Sequence, residues 1–217
     1  FNDGTWWVQD AAAALPVMLM GDVSGQRVLD LCAAPGGKTL QLADRGAAVT
    51  ALDRSRNRLK LVQQNLDRTK LNATLLDGDS ADWRPDDPAP FVLLDAPCSA
   101  TGTLRRHPDV ARLKGPKDIA ALSAAQTRLL DAAAEMTAPK GMLVYCTCSL
   151  QPEEGPDQIA AFLERHPGWH RQPVEASEIG GLTNCITPEG DLRTLPCHLS
   201  ELGGMDGFYA ARLLNKA

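Results

Sequence analysis

At 217 residues, 44% hydrophobic and 23% charged, the chain is long enough to bury one generous core, and no stretch approaches the ~18 consecutive apolar residues of a membrane span. Six cysteines at irregular spacing, with no CxxC pair, do not make a disulfide framework and favour a reducing cytoplasm. The net charge of -5 weighs against a nucleic-acid partner, for which a basic domain is the usual footprint, without excluding one.

An entry segment with Trp6 and Trp7 leads into a helix-like Ala11–Met20. From there short apolar runs alternate with amphipathic stretches. Strands are expected at Val28–Cys32, Val49–Asp53, Thr74–Asp77, Phe91–Asp95, Met142–Cys146 and Gly207–Leu214. Helices are expected near Lys38–Asp44, Arg56–Thr69, Ile119–Thr137 and Glu153–His166. This alternation argues for a parallel sheet with crossover helices. Arg84–Pro90, rich in proline and aspartate, reads as a surface loop. Pro173–Leu202 reads as a long irregular connection of the kind that often carries function. The last strand follows Gly-Gly and Asp-Gly turn signals, which suits antiparallel entry.

Val28–Lys38, VLDLCAAPGGK, is a buried strand, a turn of small residues and a helix start. Two glycines let a ligand approach the backbone, and the helix amino-terminus offers N–H groups and a positive dipole end. The spacing is neither GxGxxG nor a phosphate-gripping GxxxxGK[ST] loop, so a nucleoside-bearing ligand other than a dinucleotide is favoured. Asp53 ends the second strand about 20 residues on, where ribose hydroxyls are commonly held. Asp79 follows the third strand, placed for an adenine amine. Each acid alone also reads as a cap or turn residue, but their placement at successive strand ends suggests S-adenosylmethionine.

Two further strands run into a Cys-Ser pair, Asp95–Ser99 (DAPCS) and Val144–Leu150 (VYCTCSL). Side by side and parallel, roughly 4.8 Å apart, they deliver Cys98 and Cys148 together at the carboxyl edge, where open α/β sheets bind ligands. Cys146, at period two from Cys148, reads as packing, as does Cys32 against the glycine turn. Cys185, Cys197 and His198 lack the paired spacing of a zinc site, and His107, His166 and His170 read as surface or capping residues. The run Arg105-Arg106-His107 with Arg112, Lys114 and Lys117 is either a solvated loop or a phosphate contact.

DLCAAPGGKT (Asp30–Thr39), LLDAPCSATGTLRRHPD (Leu93–Asp109) and YCTCSLQPEE (Tyr145–Glu154) resemble the signature motifs of the Sun-type RNA cytosine-5 methyltransferases. The entry WWVQDAAAALP and the closing DGFYAARL are similar too, and the likeness is strongest to the RsmB-like branch that acts on small-subunit ribosomal RNA. The resemblance implies a Rossmann-like α/β methyltransferase fold, a mostly parallel seven-stranded sheet with one antiparallel C-terminal strand. It implies Cys148 as the nucleophile toward carbon 6 of cytosine, Cys98 as a second thiol for product release, and Asp95 as the acid contacting base and cofactor. It assigns S-adenosylmethionine to Cys32, Ala33, Ala34, Pro35, Gly36, Gly37, Lys38, Asp53 and Asp79. The expected partner is an unpaired or flipped cytosine of 16S ribosomal RNA, met by Arg105, Arg106 and Lys114, and the expected state is a cytoplasmic monomer. With Phe1 in place of Met and no leader pattern, residues 1–217 are expected to be a catalytic domain separated from an amino-terminal RNA-binding domain.

The chemistry accounts for the residue types. Carbon 5 of cytosine gains nucleophilicity only after covalent addition at carbon 6 makes the ring an enamine. A thiol adds well and leaves well, but at an ordinary pKa of about 8.5 it is scarcely ionised, so the site must favour the thiolate. A DNA-type enzyme using the Pro97-Cys98 thiol is a rival that leaves Cys148 unexplained. Amino-group methylation lacks its Asp/Asn-Pro-Pro-aromatic motif here, and a non-catalytic RNA-binding module is the rival of a different class.

Overall fold

A computed structural model describes residues 1–216. Five parallel strands form the frame: β1 Arg27–Leu31, β2 Ala48–Asp53, β3 Thr74–Asp77, β4 Ala89–Asp95 and β5 Thr137–Thr147. They lie in the order β3-β2-β1-β4-β5, followed by β8 (Phe208–Asn215) antiparallel to β5, and then β6 (Trp169–Arg171). The three-residue β7 (Leu192–Thr194) pairs with β8 off that path, which makes eight strands in place of the seven expected. β6 and β7 escape sequence reading because three residues are too few to show a period.

The helices are α1 Ala11–Met18, α2 Gly37–Asp44, α3 Arg56–Thr69, α4 Val110–Leu113, α5 Pro116–Met136 and α6 Pro156–Arg165. Asp10 caps α1 by accepting from the Ala12 N–H, and Ser55 caps α3 by accepting from the Arg58 N–H. Thr137 opens β5 where the apolar pattern extended the preceding helix to it, and Ala89 and Pro90 join β4 from the expected loop. The Glu153–His166 helix resolves into a 3-10 turn at Pro152–Glu154 and then α6.

Strand residues alternate between two buried faces, as a doubly covered sheet requires. Val28, Val49, Ala51, Leu93 and Val144 pack with α1 on one side. Leu29, Leu31, Leu52, Val92, Leu94 and Leu143 pack with α5 and α6 on the other. Phe162 of α6 is fully buried there, a contribution of about 1.5–3 kcal/mol. The long connection is anchored by Arg212 of β8, whose buried guanidinium bonds Glu178, Leu19 O and Pro173 O.

Candidate active site

Register places the site. Phe91 to Asp95 pair in step with Met142 to Cys146, so Asp95 stands opposite Cys146 at the carboxyl ends of β4 and β5. Beyond them both chains turn outward, and the Sγ atoms of Cys98 and Cys148 lie 3.5 Å apart, both cysteines being free thiols. The two thiols share a hydrogen bond in which either sulfur could be the donor. That bond, with burial behind it, pushes the Cys98 thiol well above its usual range. The same bond pulls Cys148 below the usual range, against burial and the Asp95 charge, with Lys38 assisting. One thiol is thereby kept protonated and the other is favoured as thiolate.

Lys38, on the first turn of α2, reaches Asp95 with Nζ–Oδ2 of 2.8 Å and sits 4.9 Å from the Phe208 ring centroid. Burial pulls its ammonium down, and the Asp95 carboxylate more than reverses this, leaving it above its ordinary value. Cys146 is fully buried with its Sγ 3.5 Å from Asp95 Oδ1, and burial holds its thiol well up. It is thus packing, as the strand period indicates.

A cavity of about 310 Å³ is lined by Ala33, Pro35, Gly37 and Lys38 from the glycine turn, by Asp95 and Cys148, and by Arg106, Asp206 and Phe208. Cys98 is not among these lining residues and meets the cavity through Cys148. A second cavity of about 140 Å³ is lined by Cys32, Asp53, Asp79, Ser80, Arg58 and Pro97. Neighbouring residues of the same two turns line both: Cys32 one and Ala33 the other, Pro97 one and Asp95 the other.

The glycine turn is tightly held. Cys32 adopts φ 61°, and its thiol, 3.9 Å from Ser80 Oγ, is pushed up to about 12 chiefly by burial. The Ala33 N–H donates to Leu52 O at 3.0 Å, and the Ala34 N–H donates to Asp53 Oδ2 at 3.0 Å. Gly36, at φ 103°, precedes α2 where any Cβ would come within 2.9 Å of Val62. Asp53 is buried and also accepts from the Ser55 N–H at 2.8 Å. Arg58 Nη1 also pairs with Asp53 Oδ2 at 3.8 Å, and with roughly four acceptor sites on a carboxylate some capacity remains for a ligand. Asp79 is exposed, accepts from the Ala81 N–H at 2.9 Å in a turn contact, and lines the smaller cavity.

Two arginines of the basic run are ion-paired. Arg105 bonds Asp10 at 2.9 Å, and Arg106 binds Asp206 through both its Nε and Nη2. That hydrogen bond raises Arg106, which lines the larger cavity. Asp10 and Asp206 come from opposite ends of the chain, so sequence spacing gave no sign of them; Arg112, Lys114 and Lys117 remain exposed. Arg58 and Glu154 were also missed. Arg58 bonds Ala34 O, and Glu154 lies buried behind both thiol turns. Seven residues past the end of β5, a glutamate in PEE looks like any helix-start acid. Cys185 Sγ lies 3.1 Å from His198 Nδ1, with Cys197 exposed, and among the described residues no group of three such side chains is arranged to hold a metal ion.

An open sheet of this order, with ligand cavities at its carboxyl edge, is the Rossmann-like fold of S-adenosylmethionine-dependent methyltransferases. Residues 17–214 match the family model described as 16S rRNA methyltransferase RsmB/F, and the chain belongs to that family. It is 44% identical over its whole length to the ribosomal RNA small subunit methyltransferase B of Pseudomonas putida, covering 49% of that relative. It is 45% identical to the Vibrio cholerae protein of the same name, with 77% of this chain and 40% of that one aligned. The chain thus spans about half the length of the curated relatives it matches. Among solved structures, NSun6 from Pyrococcus horikoshii with SFG superposes with a TM-score of 0.84 at 25% identity, covering 100% of this chain and 55% of that one. A methyltransferase homolog protein from the same organism gives 0.79 at 29%, covering 99% and 70%.

Proposed function

We propose that this chain transfers a methyl group from S-adenosylmethionine to carbon 5 of a cytosine in small-subunit ribosomal RNA, through a covalent bond between Cys148 and carbon 6. The observation that carries this reading is the pair of sulfurs 3.5 Å apart beside the Lys38–Asp95 ion pair, in a cavity that Cys148 lines. The relatives' names supply the RNA class, and the SFG in the archaeal neighbour, an analogue of S-adenosylmethionine, supports the cofactor.

Asp53, Asp79 and Cys32 would hold the nucleoside part, and Ala33 to Lys38, with Ala34 fixed on Asp53, would hold the part toward the sulfonium. The acceptor sites left on Asp53 fit ribose hydroxyls. When bound, the cofactor supplies an electrophilic methyl group. Cys148, its proton released to solvent and its thiolate stabilised by the bond it shares with Cys98, adds to carbon 6 and drives charge onto ring nitrogen 3. The Lys38 ammonium meets that charge, and the Asp95 carboxylate accepts from the exocyclic amine. Once carbon 5 is methylated, its proton passes to a water held by Cys98. The electrons of that C–H bond restore the ring double bond, and the Cys148 sulfur leaves as a thiolate that Cys98 again stabilises. The target base must be unstacked to enter.

RNA carrying 5-fluorocytosine traps the adduct, because fluorine at carbon 5 cannot leave as a proton does. Cys148→Ser is expected to abolish the denaturant-stable protein–RNA complex and tritium transfer from labelled cofactor. Cys98→Ser is expected to form the adduct and release it slowly. An adduct that survives in Cys148→Ser and vanishes in Cys98→Ser assigns the DNA-type roles instead and ends this reading.

A further inference from the structure

We infer that Glu154 is the positioning residue of the thiol pair: one buried carboxylate, as common acceptor for the residue after each cysteine, sets the spacing of the two sulfurs and their unequal roles. This rests on the reading of Cys148 as nucleophile and adds a residue that touches neither substrate nor cofactor.

The contacts are convergent. Glu154 is fully buried. Its Oε1 accepts from the Ser99 N–H at 2.9 Å and from Gln126 Nε2 at 3.3 Å, and its Oε2 accepts from the hydroxyls of Ser99 and Ser149. Ser99 follows Cys98 and Ser149 follows Cys148, so the same group grips both turns one bond beyond each thiol. Gln126 also donates to Pro97 O at 2.9 Å, fixing the residue before Cys98. The glutamate itself is held to the strand, since Tyr145 Oη and Thr147 Oγ1 donate to its carbonyl at 2.9 and 3.1 Å.

The donors define the charge state. Four neutral N–H and O–H groups point at two oxygens, the acceptor-only pattern of an ionised carboxylate. Gln126 gives its amide N–H groups to both Glu154 and the Pro97 carbonyl, which fixes the amide's orientation while its own Oε1 stays buried without a partner. A negative charge without a cation among its bonded partners acts over the short distance to the thiols with little screening. It falls on Cys98, where it adds to the hydrogen bond and burial that already disfavour the thiolate, whereas the carboxylate that acts on Cys148 is that of Asp95, whose charge is paired with Lys38. The carboxylate therefore keeps Cys98 the donor and leaves Cys148 the nucleophile.

A purely structural clamp predicts lost stability and nothing else, so the test reads the thiols. The full-length protein is alkylated with iodoacetamide across pH and each cysteine peptide is quantified by mass spectrometry, alongside steady-state kinetics. In Glu154→Gln the Cys98 midpoint is expected to fall and the Cys148 midpoint to rise, drawing together by about one pH unit. The kcat is expected to drop about tenfold or more with KM for S-adenosylmethionine within about twofold. Should Glu154→Gln not fold, Ser149→Ala removes a single arm of the clamp and is expected to move the midpoints in the same direction by less. Unchanged midpoints and kcat in the folded variant, whatever its melting temperature, overturn the proposal. Alkylation needs no methyl transfer, so failure of the nucleophile assignment shows separately, in the Cys148→Ser adduct assay.

Discussion

Asp30 makes the clearest quantitative demand on the fold. It sits in β1 beneath the site, fully buried, accepting from Thr39 Oγ1 at 2.6 Å while Oδ1 has no hydrogen-bond partner. Burial pushes its carboxyl from 3.8 up to about 7, the Thr39 bond resisting and the Asp95 charge adding to it. Below 3.8 the group is protonated folded or unfolded and costs nothing. As pH rises from there the unfolded chain ionises first, so stability falls until the folded group ionises near 7 and the loss is complete. At about 1.36 kcal/mol per unit, the fall between pH 5 and pH 8 amounts to about 2.5 kcal/mol. Asp30→Asn removes this slope. The amide leaves the same position unpartnered at every pH, so the slope and not the absolute level carries the prediction. Urea midpoints at the two pH values measure it: with a slope m of about 2 kcal/mol/M, the wild-type midpoint falls about 1 M further than the variant's. Other titrating groups cancel in that difference. Equal shifts for both proteins would show that the buried carboxyl is not the source.

Lys38→Met leaves the Asp95 charge without its partner; because Asp95 is 29% exposed, the cost is set at about 3 kcal/mol, the low end for a broken buried pair. Lys38→Met with Asp95→Asn should regain most of that stability by chemical denaturation and none of the methyl transfer, separating the pair's role in the fold from its role at the base. At Gly102 an added Cβ would lie 1.8 Å from Gly207 O and 2.9 Å from Cys148 O, so Gly102→Ala must part the Gly102 segment from the Gly207 backbone and disturb the Cys148 turn beside it, at about 1–3 kcal/mol or more. Its adduct with fluorocytosine RNA should form at least tenfold more slowly, and an unchanged rate would show that the turn tolerates the shift.

How much was legible follows from range. The frame strands and α3 were readable because short apolar runs and amphipathic periodicity act within a few residues. The two thiols were readable because each ends an apolar strand, and a parallel pairing brings such ends together. The partners of those groups were not. Lys38 finds Asp95 57 residues away, the Asp206 N–H donates to Asp10 across 196, and Ser99 meets Glu154 across 55. No local pattern encodes such pairings, and for that reason the acids that pair with Arg105 and Arg106 could not be read from the basic run itself. Asp79 is the converse: its turn contact and its place on the cavity wall are both real, and spacing alone left the two readings open.

The site finally depends on the register of one strand pair. Asp95 stands opposite Cys146, and the ladder continues one bond further, from the Ala96 N–H to Cys146 O at 2.9 Å. Cys148 is two residues past that pairing and Cys98 three; the extra residue on the β4 side is Pro97, whose carbonyl Gln126 takes up. A slip of one residue would turn every side chain of β5 to the opposite face, sending Cys148 away from Asp95 and Tyr145 toward α1. Tyr145 is fully buried on the α5 and α6 side and bonded to Glu154, so the slip would strand a large side chain and a hydroxyl together. The packing that fixes the register and the chemistry that needs it are therefore secured by neighbouring residues of the same strand.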